Sequence, residues 1–117
     1  MPDILAGLGL APGIVHWMVL TAALFAVGLY GILTRRSAVG VLMAVELLLN
    51  SAALSFVVFN HFRMPALVDG QVMAVFVIAV AAAEVVVGMA VFVALYRVSH
   101  TVDLNRLDRL KNDEVKP

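Results

Sequence analysis

Three uninterrupted apolar runs dominate this chain and leave it few ways to fold. They cover about residues 14–34, 37–62 and 70–96, separated by short segments that carry arginine or aspartate. About 20 apolar residues are enough for a helix to cross a bilayer, and each run reaches that length. The runs are continuous and do not alternate, which excludes the two-residue pattern of a membrane β-barrel. Their many valines would suggest strands in water. In lipid every backbone group must be paired within its own segment, so valine-rich spans are helical. The apolar fraction is 63% and mean hydropathy is +1.04, against about 45–50% apolar residues in a soluble domain. The expected fold is an all-α membrane protein of three transmembrane helices, forming part of a larger heteromeric bundle. Residues 1–13 make an outward-facing segment, 14–97 the transmembrane domain and 98–117 a polar cytoplasmic tail.

Within these runs two residues stand apart. Glu46 is the only ionisable side chain between Ser37 and Asn60, and Glu84 the only charged one between Gly70 and Tyr96. A charged side chain at the bilayer centre costs roughly 2.5–3.5 kcal/mol even on insertion scales. Interhelical hydrogen bonding, the structural alternative, returns only about 0.6 kcal/mol on average. The imbalance points to a proton or cation pathway. A dry site favours the neutral acid and a wetted one the carboxylate, so a change in hydration loads or releases a proton. Glu46 lies ten residues beyond Arg36, or roughly 15 Å at 1.5 Å per residue, half of a 30 Å core. Glu84 lies thirteen residues before Arg97. Similar depth suits transfer in the membrane plane.

Neighbours on each helix refine this reading. Asn50 follows Glu46 by four residues and shares its face, together with Met43 and Ala53. Ala81 and Gly88 flank Glu84 and leave room for a close helix, a water or a partner side chain. Ala79 with Ala83, and Gly40 with Ala44, form further small-residue pairs. Arg35 and Arg36 set topology, and they offer cations to an acidic partner. His16, Trp17 and His61 suit the interfaces, and the methionines suit packing.

Other function classes fall away on composition. Formal net charge is zero, so no basic field awaits nucleic acid. There is no cysteine, hence no disulfide and no thiolate metal site. The three histidines have no metal-ligand spacing. The N-terminus lacks the basic region and cleavage site of a signal peptide. Leu104, Leu107 and Leu110 suggest a short amphipathic segment in the tail, with a solvated tail as the simpler alternative.

The motifs Gly28-Leu-Tyr-Gly-Ile-Leu-Thr-Arg-Arg36, Ala44-Val-Glu-Leu-Leu-Leu-Asn50, Asp69-Gly-Gln-Val-Met73 and Ala81-Ala-Ala-Glu-Val85 with Gly88 resemble subunit K of the proton-pumping NADH–quinone oxidoreductase, called 4L in mitochondria. The resemblance covers about residues 15–111. It implies a membrane-arm subunit of respiratory complex I in a bacterial plasma membrane, and not a homo-oligomer. Its implied neighbours are J-type (subunit 6), antiporter-like N-type (subunit 2) and A-type (subunit 3) chains. It implies that Glu46 and Glu84 belong to the proton-translocation axis, supported by Asn50, Arg35 and Arg36. NADH, FMN, iron–sulfur clusters and quinone are implied to belong to other subunits, with no cofactor bound by this chain and no catalytic redox site in it. The alternative is the C-type subunit of a multisubunit cation/proton antiporter, which the third run resembles less well.

Of the eight basic residues, Arg35, Arg36, Arg97, Arg106, Arg109, Lys111 and Lys116 fall on one side of a three-span chain and Arg63 on the other. The positive-inside rule then places the first loop and the C-terminus in the cytoplasm. Single cysteines at positions 36 and 97 are expected to react with an impermeant reagent from the cytoplasmic side, and one at 63 from the outside. Labelling of 36 and 63 from the same side contradicts three spans.

Overall fold

In the computed structural model the described residues are 4, 7–9 and 11–105. They contain three long helices: α1 (Ile14–Thr34), α2 (Ala38–Arg63) and α3 (Asp69–Ser99). All three are long and apolar enough to cross a membrane. The expected spans agree with these to within a residue or so, except at the end of α3. That helix continues past Tyr96-Arg97 to Ser99 and stops where His100 adopts a left-handed conformation, φ 52°. Leu107 and Leu110 lie outside the described residues, so the amphipathic tail reading is left where the sequence placed it.

The helix ends have local causes. Ser37 is the N-cap of α2, its hydroxyl accepting from the Gly40 N–H at 3.1 Å, which satisfies one of the orphan donors of a first turn. Pro65 follows Met64, the C-cap of α2, where a helix cannot continue. Asp69 opens α3, a favourable place for a negative charge.

Helix α2 packs against both α1 and α3. Lipid removes the hydrophobic drive between helices, so association depends on close contact through small residues. The buried apolar side chains are accordingly small: Ala38, Ala44, Ala53, Val58, Ala74 and Ala81. Between α1 and α2, Gly28 faces Leu48 and the Ala44 carbonyl, and Gly31 faces the Ala44 methyl. A Cβ on either glycine would come within 3.0 Å of these atoms. One interhelical hydrogen bond joins this seam, from the Ser51 hydroxyl to the Thr21 carbonyl at 2.9 Å. Of the sequence-expected small pairs, Ala44 packs in this seam. Ala79 and Ala83 are exposed in the chain alone.

Two connections tie α3 to the rest. At one end Val102 and Leu104 pair antiparallel with the first loop. The Ala38 N–H donates to Val102 and the Leu104 N–H to Arg36, both at 3.0 Å. This isolated bridge, Ser37 against Asp103, brings Arg35 and Arg36 to the same end as the terminus of α3. At the other end the buried Asn60 side chain spans the second loop. It donates to the Leu67 carbonyl at 2.6 Å and the Met64 carbonyl at 3.4 Å, and accepts from the Gly70 N–H at 2.9 Å.

Candidate functional site

The register of α2 against α3 fixes where the two glutamates stand. Gly70 lies against Asn60, and Gly88 lies against Leu42, whose side-chain carbons a Cβ there would meet at 3.1–3.8 Å. These are two facing pairs in one antiparallel seam. Glu46 comes fourteen residues before Asn60, and Glu84 fourteen after Gly70. From the other anchor Glu46 comes four residues after Leu42, and Glu84 four before Gly88. At 1.5 Å per residue both carboxyl-bearing positions lie about 21 Å from the Asn60/Gly70 anchor and about 6 Å from the Leu42/Gly88 one. They are level with each other along the seam.

Helix geometry also sets their sides. A four-residue step turns an α-helix through about 400°, or about 40° past a full turn. Both helices are right-handed, so moving outward from the facing pair Leu42/Gly88 turns both in the same sense. Two residues that start face to face and turn in the same sense end on opposite sides of the seam. Glu46 and Glu84 therefore flank it, one on each side.

Their surroundings differ. Glu46 is half-buried, and Asn50 and Met43 on its stripe are exposed. Ala53, expected on that stripe, is buried. Across the seam from this stripe, Ala81 is buried and Gly88 half-buried, while Glu84 beside them is exposed. Every buried side-chain polar atom among the described residues has a hydrogen-bond partner, yet no hydrogen bond there reaches either carboxyl group. An acid that finds no partner among the described residues, at mid-helix, is served by water or by a neighbouring helix. Arg35 and Arg36 are exposed in the first loop. Arg35 borders a groove of about 670 Å³ between α1 and α2, lined also by Val27, Tyr30, Met43 and Leu47. The structure thus brings Glu46 and Glu84 to one level, with Asn50 about one helical turn from Glu46 on the same helix, and leaves the two arginines at the end of the bundle in the first loop. Among the described residues no group of three or more His, Asp and Glu side chains gathers as a metal site would.

Sequence reasoning passed over Asn60 and Gly70. The signal was present: a lone amide at the end of one apolar run, and a glycine at the start of the next.

Comparison with known proteins gives a consistent result. Residues 16–112 match the family described as NADH-ubiquinone/plastoquinone oxidoreductase chain 4L. The chain is 48% identical over 96 residues to the NAD(P)H-quinone oxidoreductase subunit 4L of a Nostoc species, covering 82% of this chain and 95% of that one. It is 47% identical over 96 residues to the subunit of the same name from a Synechocystis species, covering 82% and 93%. It is 48% identical over 99 residues to the NADH-quinone oxidoreductase subunit K of Methylacidiphilum infernorum, covering 85% and 96%.

The difference in exposure has a chemical consequence. An apolar carbodiimide, which attacks protonated carboxyl groups from the lipid phase, is expected to modify Glu84 ahead of Glu46 in the detergent-solubilised chain. Peptide mass spectrometry over a time course reads the order. Equal rates, or Glu46 first, contradict the placement of Glu84 on an open face.

Proposed function

The chain belongs to the NADH-ubiquinone/plastoquinone oxidoreductase chain 4L family, and from that premise we propose that it is a membrane-arm subunit of a proton-pumping NADH:quinone oxidoreductase. In this reading Glu46 and Glu84 are members of the axis that couples quinone reduction to proton translocation. The observation that carries it is the level carboxyl pair on opposite sides of one helix seam, without hydrogen-bond partners among the described residues. One group lies on each side of the seam, as a relay running in the membrane plane between two neighbours requires. The J-type, N-type and A-type chains are the proposed neighbours, in a bacterial plasma membrane with the arginine-rich end cytoplasmic. Family membership selects this reading over the antiporter subunit.

The chemistry asked of the chain is proton exchange. A neutral Glu46 gives its carboxyl proton to an adjoining water and becomes a carboxylate, and the reverse step restores the acid. Glu46 and Glu84 stand level on adjoining helices, and in this proposal they act in proton exchange as one unit. Electron transfer belongs to other subunits in this proposal. With no cysteine, the chain offers no thiolate to an iron–sulfur cluster.

Glutamine keeps the size and hydrogen bonding of the neutral acid and cannot ionise. Glu46→Gln is expected to leave the complex assembled and to lower proton-coupled quinone reduction several-fold. Glu84→Gln is expected to be milder, because Glu46 has Asn50 as a polar neighbour on its own helix. The double variant should fall short of additive. Quinone reduction and proton uptake, normalised to assembled complex, are the measurements. Near-normal pumping in assembled Glu46→Gln membranes refutes the proton-carrying role.

A further inference from the structure

The geometry points to Asn60 as a positioning residue: its side chain, pinned to the Gly70 N–H, fixes the height of Glu84 against Glu46. The pin uses the whole amide. Its oxygen takes the N–H in the first turn of α3, and its nitrogen donates to two carbonyls of the connecting loop, Met64 and Leu67. Asn60 is 7% exposed, so its side chain is largely shielded from water although the loop it holds is exposed. Gly70 completes the site. A Cβ there would collide with the Asn60 Cβ and lie 2.5 Å from the Phe56 carbonyl oxygen, so only glycine admits the approach.

A pin of this kind is needed because the rest of the seam is permissive. The α2-facing positions of α3 include Ala74, Ala81 and Gly88. Small residues repeated along a helix let one helix slide past another with little change in contact. A one-turn slip moves a side chain by about 5.4 Å, which would take Glu84 off the level of Glu46. The amide bond is directional and fixed to one backbone N–H, so it selects one register among those the small residues tolerate. Its consequence for proton coupling rests on the proposed function. The register itself does not.

The test uses the assembled complex in membranes. A Leu42→Cys/Gly88→Cys pair, bridged by a short bifunctional thiol reagent and scored as fragments that stay joined after cleavage at Arg63, reports the register. With Asn60 present the pair is expected to cross-link. In the Asn60→Leu background the cross-link is expected to be lost, and protons translocated per quinone reduced are expected to fall in the complexes that assemble. Gly70→Ala, which forces the same contact apart by a different route, is expected to give the same two losses and answers the question if Asn60→Leu does not assemble. Retention of the cross-link in either variant overturns the proposal, as does an unchanged proton ratio accompanied only by less assembled complex. If Glu46→Gln pumps normally while the cross-link is still lost, the proton reading fails and the register assignment stands.

Discussion

A solvent that offers no hydrogen bonds governs this chain from end to end. In hydrocarbon the backbone must satisfy itself, which makes the three apolar runs helices. The same solvent removes the hydrophobic drive between them, so contact is won by bringing backbones close. Gly28 and Gly31 on Ala44, and Gly88 on Leu42, are the result. The subunit has a thin interior of alanines and one buried valine, and it exposes large side chains such as Phe76, Val86 and Tyr96 along its outer faces.

Polar groups in such a chain are therefore few and each has a definite office. Ser51 joins α1 to α2. Asn60 joins the second loop to both of its helices. Val102 and Leu104 return along the first loop and close the other end. These groups are satisfied within the chain. Glu46, Glu84 and the exposed Asn50 are the mid-helix polar side chains with no hydrogen-bond partner among the described residues, and the two glutamates stand level on opposite sides of one seam. The groups at the helix ends and at the α1–α2 seam are closed within the chain and the carboxyl pair is not, which is what supports the proposed relay between neighbours.

Much of this was legible in the sequence. The three spans follow from run length, the shared end of Arg35, Arg36 and Arg97 from counting spans, and the two glutamates from their isolation. Their similar depth could be estimated from distance to the flanking charges. Their common level could not, because it depends on which residues of α2 and α3 face each other. That register is a tertiary fact, set by Asn60 with Gly70 and by Leu42 with Gly88. Helical spacing put Ala53 on the face of Glu46, yet Ala53 is buried while Met43 and Asn50 are exposed. The surroundings of a helix change along its length, and periodicity alone carries no information about where a neighbour begins. The last turn of α3 was missed for a simpler reason. Tyr96-Arg97 ends the apolar run, and a helix has no need to end where its apolar run does.

The account turns on Glu46 and Glu84 exchanging protons as one coupled unit. Infrared difference spectra of the assembled complex, recorded between oxidised and quinone-reducing conditions in the region of the protonated carboxyl stretch, address this most directly. The account predicts a carboxyl signal that disappears in Glu46→Gln and is displaced in Glu84→Gln, because each group's charge alters the other's protonation. Spectra of the two variants that superimpose on that of the unmodified complex would contradict it.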